Sequence, residues 1–129
     1  MVEKLMVGGT SSGKKERVAA LGFSPQQISD GGSCSLDKAF SRPVLYGLHL
    51  LVRRLMQQEQ DPAAIIAQGL QEGVVRIVVC DEIGCGVVPM DRLERDWREQ
   101  TGRILCQIAQ QAPSVERVFC GIATEMKKK

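Results

Sequence analysis

Residues 8–14 read Gly8-Gly9-Thr10-Ser11-Ser12-Gly13-Lys14, the spacing G-x-x-x-x-G-K. Glycines in such a loop let backbone N–H groups close round phosphates, and Lys14 reaches the outer phosphates. The next position ordinarily supplies a hydroxyl to Mg²⁺. Here it is Lys15, whose ammonium has donors and no lone pair to offer a cation. The second group able to do chemistry is Asp81-Glu82, directly after an apolar run. A carboxylate at the end of a neighbouring strand holds Mg²⁺ in phosphate-loop proteins, and the carboxyl ends of parallel strands are where such folds bind ligands. The spacing therefore assigns Lys14, Asp81 and Glu82 as catalytic residues, residues 8–15 as the nucleotide loop, and Asp81 and Glu82 as the metal carboxylates.

Arg92, Arg95, Arg98 and Arg103 fall at helical spacing, so neighbours can share a face. Pairing with Glu94, Asp96 and Glu99 on a solvated surface is the favoured reading, with phosphate contact by one or two of them as the rival. His49, the single histidine, sits in Leu48-His49-Leu50-Leu51 and reads as a core or helix-edge residue rather than a catalytic one. Cys34, Cys80, Cys85, Cys106 and Cys120 form no C-x-x-C. They fit reduced thiols in a cytoplasmic protein and make a poor zinc set.

These groups must be positioned by short elements. Lys4-Leu5-Met6-Val7 reads as a buried strand, and Lys14–Leu21 as a helix ended by Gly22. Residues 23–43 are rich in Gly, Ser, Pro and Asp and read as loop, with a short strand near Ile28 and one helical turn capped by Ser35. Val44–Gln58 carries Leu48, Leu51, Val52 and Leu55 on one helical face. Asp61-Pro62 opens a further helix that Gly73 ends. Val74–Cys80 reads as a central parallel strand. Asp91 and Glu94 form a D-x-x-E box that opens the longest helix, with Leu93, Trp97, Ile104, Leu105, Ile108 and Ala112 on one face. Val115–Ile122 reads as the last strand and Lys127-Lys128-Lys129 as a solvated tail. Strands alternating with helices predict an α/β fold: a P-loop NTPase-like three-layer sandwich, its sheet mainly parallel with helices on both faces.

The chain has 129 residues, enough for one domain over 1–129 with its own core. A net charge of +2 and 4% aromatic residues give no electrostatic or stacking case for nucleic acid. No stretch has the length and apolarity of a membrane span, and no apolar leader is visible.

The stretch Asp81-Glu82-Ile83-Gly84-Cys85-Gly86-Val87-Val88-Pro89 resembles the N-E-V-G-x-G-I-V-P motif of the bifunctional adenosylcobinamide kinase / adenosylcobinamide-phosphate guanylyltransferase family. The similarity continues through Arg92-Leu93, Arg95, Trp97-Arg98-Glu99 and Gly102-Arg103, and ends in Cys120-Gly121-Ile122, like that family's S-G-I before a basic tail. The loop at Gly8–Lys14 is similar to its G-G-x-x-S-G-K, Ser12 included. The resemblance implies GTP or ATP at the loop, Mg²⁺ near Asp81-Glu82, and a corrinoid substrate met by Gly84, Gly86, Pro89, Arg92 and Arg98. It further implies phosphorylation of the cobinamide aminopropanol hydroxyl, then GMP transfer through a guanylylated histidine, in a homo-oligomer that is a trimer by analogy.

The chain departs from that pattern in places that matter. Asp81 replaces asparagine, Lys15 replaces serine, and the middle lacks the segment that holds the nucleophilic histidine. His49 falls nearer the segment after the family's third strand, so that role is not carried onto it. A second reading therefore stands beside the kinase: a reduced nucleotide- or corrinoid-binding module that assists or regulates a pathway enzyme.

Overall fold

The computed structural model describes residues 2–9, 12–83 and 91–128. Six strands form one sheet: β1 Lys4–Gly8, β2 Ile28–Asp30, β3 Val44–Tyr46, β4 Ile77–Asp81, β5 Ser114–Phe119 and β6 Ile122–Lys128. Four helices accompany them: α1 Lys14–Ala20, α2 Leu48–Gln57, α3 Pro62–Gln71 and α4 Arg92–Gln111. The strand order is β2-β3-β4-β1-β5-β6, parallel throughout except for the antiparallel β5–β6 pair. β1 is central, with Gly8 level with Asp81 of β4 on one side and with Val118 of β5 on the other.

Alternation of side chains along the strands fixes the layers. Leu5, Leu45, Val78, Cys80 and Val115 pack with Leu48, Leu51, Val52 and Leu55 of α2, Ile66 of α3 and Trp97, Ile104 and Ile108 of α4. Met6, Val44, Ile77, Val79 and Val118 face the other way, against Val18 of α1. Strands covered on both faces read as unbroken apolar runs, which is the reason β1 and β4 stand out in the sequence. The result is a three-layer α/β sandwich of the P-loop NTPase-like kind.

Where the chain signals its helix starts locally, the structure agrees. Asp61 Oδ1 accepts N–H bonds from Ala63 and Ala64, and Asp91 Oδ1 accepts one from Leu93 at 2.8 Å. Other elements differ from the sequence expectation. The helix expected from Val44 begins only at Leu48, because Val44–Tyr46 is strand β3, paired with β4 from Val44↔Ile77. Gly47 separates the two at φ 80°, a left-handed conformation that no helix interior holds. The strand expected from Val74 starts at Ile77, and Val74 is exposed. Leu93 is exposed too, while Thr101 joins the buried face of α4.

The last strand is a hairpin. Cys120 and Gly121 turn at φ 51° and 77°, and β6 runs back to Lys128. Lys127 is consequently no solvated tail residue. Its ammonium donates to the carbonyls of Ala109 (2.9 Å) and Gln110 (3.0 Å) at the carboxyl end of α4, where a cation meets unsatisfied carbonyls. Among the described residues no helix is long and apolar enough to cross a membrane.

Candidate functional site around Lys14 and Asp81

The register of β1 with β4 brings the glycine loop and the Asp81-Glu82 pair to the same edge of the sheet. Glu82 N–H donates to the Gly8 carbonyl at 2.9 Å, stitching the two chain segments together just past the strands. A Cβ on Gly8 would lie 2.5 Å from the Val118 carbonyl oxygen and 2.6 Å from Ser12 Oγ, so only glycine fits between the loop and β5. Gly13, at φ 100°, turns the chain into α1. The β5–β6 turn supports the loop from beneath: Gly121 N–H donates to the Ser12 carbonyl at 2.8 Å.

Lys14 is buried, with 2% of its side chain exposed. Its ammonium donates to the carbonyls of Gly9 (2.5 Å) and Gly8 (3.3 Å) and to Ser12 Oγ (3.4 Å), and pairs with Asp81 Oδ1 at 2.8 Å. A buried ammonium requires such a shell, because desolvation without partners is costly.

Asp81 is gripped a second time by His49. The Asp81 N–H donates to His49 Nδ1 at 3.3 Å, and His49 Nε2 lies 3.5 Å from Asp81 Oδ2. With Nδ1 as acceptor, the neutral imidazole carries its proton on Nε2 and points it at the carboxylate. Burial lowers the His49 pKa; Asp81 opposes this and Lys14 adds to it. The His49 carbonyl in turn accepts Trp97 Nε1–H at 2.8 Å, and the Arg53 guanidinium lies 4.8 Å from the Trp97 ring centroid. Cys80, beside His49, is fully buried, and burial pushes its thiol pKa up to about 12.

The carboxyl ends of β1, β3 and β4 open onto a cleft of about 430 Å³, walled by Lys14, Lys15, Tyr46, His49 and Asp81 among others. Lys15 Nζ lies over the Tyr46 ring, 5.5 Å from its centroid. The Tyr46 hydroxyl pKa is raised by burial first, then by the negative charges of Asp81, Glu16 and Asp30. Another groove of about 340 Å³, between α3 and α4, is lined by aliphatic and glutamine side chains and holds no titratable group.

Of the residues expected from the sequence, Gly8, Gly9, Ser12, Gly13, Lys14 and Asp81 come together, with Lys15 on the cleft wall. Glu82 is turned elsewhere: its carboxylate makes a two-point contact with Arg117 on β5 (Nε–Oε1 2.9 Å, a second N–H to Oε2 at 3.2 Å). Arg92 is exposed at the first position of α4, and Arg98 is half-buried beside Trp97. Arg103 pairs with Glu99 one turn away at 2.5 Å, the surface arrangement favoured from composition. Thr10, Ser11, Gly84, Cys85, Gly86 and Pro89 lie outside the described residues.

Three site residues were not singled out from the sequence: Tyr46, Arg117, and His49 as a partner of Asp81. Tyr46 and His49 were hidden inside a stretch read as one helix. Gly47 between them was the available signal. Arg117 gave none, because only the β1–β4–β5 arrangement sets it beside Glu82.

The family described as cobinamide kinase / cobinamide phosphate guanyltransferase matches residues 41–126. The "Bifunctional adenosylcobalamin biosynthesis protein CobU" of Escherichia coli (strain K12) is 39% identical over 51 residues, 40% of this chain and 28% of that protein's length. The matched span holds the cleft wall from Tyr46 to His49, the Asp81-Glu82 pair and α4, and excludes the glycine loop, which the strand–loop–helix geometry supplies independently. On that span, the chain belongs to the cobinamide kinase / cobinamide phosphate guanyltransferase family.

Proposed function

We propose that the chain binds GTP or ATP at residues 8–15 and transfers the terminal phosphoryl group to the hydroxyl of adenosylcobinamide. The observation that carries this reading is the buried Lys14 ammonium, held 2.8 Å from Asp81 Oδ1 at the wall of the cleft. In the transfer, the substrate hydroxyl oxygen bonds to the γ-phosphorus and the bond to the β–γ bridging oxygen breaks. Asp81 takes the hydroxyl proton, and the nucleoside diphosphate leaves. Lys14 moves from the loop carbonyls to the phosphates and offsets the charge that develops there.

The side chains present do not fit the Mg²⁺ expected beside them. The usual hydroxyl ligand is replaced by Lys15, Asp81 Oδ1 is paired with Lys14, and Glu82 is paired with Arg117. Among the described residues no three His, Cys, Asp or Glu side chains converge to hold a metal. The guanylyl-transfer step is left out of the proposal as well. His49, the single histidine, is buried with its Nδ1 accepting the Asp81 N–H.

The test is transfer of labelled γ-phosphate from GTP or ATP to adenosylcobinamide. Turnover that disappears in Lys14→Ala and Asp81→Asn supports the kinase. Nucleotide binding without turnover favours the second reading, a binding module, for which Lys15 in place of the hydroxyl is the supporting observation.

A further inference from the structure

We propose that Lys15 supplies to the nucleotide phosphates the positive charge that a divalent cation brings in other loops of this type, so that this site takes a metal-free nucleoside triphosphate. The inference rests on the nucleotide reading above and specifies the form of the ligand.

Lys15 occupies the position from which a hydroxyl would reach a metal, and it lines the same cleft as Lys14. An ammonium there repels a divalent cation and offers three donors to phosphate oxygens. Its resting place is the face of Tyr46, at 5.5 Å from the ring centroid. An aromatic face holds a cation without cancelling its charge, and this contact is weak enough to be given up to a phosphate. Among the described residues no ion pair engages Lys15.

The carboxylates tell the same story from the opposite side. Asp81 faces Lys14 with one oxygen and His49 with the other, and Glu82 faces Arg117 with both. A metal would have to separate the buried Lys14 from Asp81, whereas a phosphate can take hold of Lys14 and Lys15 together. A triphosphate without metal keeps its full negative charge, and two adjacent ammonium groups match it better than one does.

The experiment is calorimetric titration of GTP and of ATP in magnesium and in EDTA. It uses the wild type, Lys15→Met and Lys15→Ser, with circular dichroism to verify that each variant is folded. The expected result is wild-type affinity in EDTA within about threefold of that in magnesium, and a loss of about tenfold or more in EDTA for folded Lys15→Met. Lys15→Ser, with the hydroxyl restored, binds only when magnesium is present. Wild-type binding that vanishes in EDTA overturns the inference and leaves the nucleotide reading intact. Unchanged affinity in Lys15→Met overturns it equally. No binding of either nucleotide in either buffer overturns both.

Discussion

The Lys14 ammonium lies 2.8 Å from Asp81 Oδ1, although the two residues belong to segments that are distant in the chain. The parallel register Gly8↔Asp81 makes them neighbours. Asp81→Asn removes the negative charge and leaves a nearly isosteric side chain. Lys14 then lacks its counter-ion in a buried shell. Stability is expected to fall by about 1–3 kcal/mol, measured by urea unfolding. On the proposed kinase reading, nucleotide affinity is expected to be retained, while phosphoryl transfer should drop more than tenfold because the proposed proton acceptor is gone.

His49 gives a pH signature. Its folded pKa is lowered from 6.5, so the unfolded chain takes up the proton first as pH falls. Its contribution is therefore present in full above pH 6.5 and declines as pH drops from 6.5 towards the lower folded value. The melting temperature of the wild type should fall between pH 7 and pH 5. His49→Gln, which lacks the titrating ring, should show a shallower fall over the same window. A parallel decline in both would contradict the assignment.

Glu116 loses its contribution in the same direction, as pH falls, but in a more acidic window. This buried residue on β5 pairs with Lys4 at 3.0 Å and with Arg17 of α1 at 2.6 Å, tying that helix to the sheet. Burial alone would raise its pKa, but the hydrogen bonds and charges of Arg17 and Lys4 prevail and lower it. A depressed carboxylate stabilises above its unfolded value of 4.5 and loses that contribution as pH falls through the folded value. Glu116→Gln should cost about 2–4 kcal/mol at neutral pH, since two cations are left beside a neutral group. The gap between variant and wild type should narrow below pH 4.5 in denaturant titrations.

Gly69 on α3 is a packing test. A Cβ added there would fall on the Phe40 ring, because the helix rests directly against that residue. Alanine is the better helix former, so an exposed site would gain from the change. Here overpacking should win, and Gly69→Ala is expected to destabilise by about 1–3 kcal/mol. Adding Phe40→Leu should recover part of the loss, measured by thermal unfolding.

Much of the fold is legible in the chain because it is local. Asp61-Pro62 and Asp91 mark helix starts with side chains that bond N–H groups two or three residues on. Val78, Val79 and Cys80 announce a strand buried on both faces, since every position there must be apolar. β3 was lost for a physical reason. Three residues are too few to show a period, and the apolar positions of α2 directly behind them extend a helical pattern backwards. β6 was lost because Glu125, Met126 and Lys127 have ordinary surface composition, and only pairing with β5 makes them a strand.

The local pattern of the chain established the make-up of the loop: the glycines that permit close backbone approach, the lysine that follows them, and the absence of a hydroxyl at Lys15. It also determined the strand–loop–helix order, since these are contacts within a few residues. How the charges pair is set by the assembled sheet. Asp81 and Glu82 are neighbours in the chain, yet one faces Lys14 and His49 and the other faces Arg117. Adjacent side chains at the end of a strand point to opposite faces, and strand order and register choose what waits on each face. No local pattern encodes that choice.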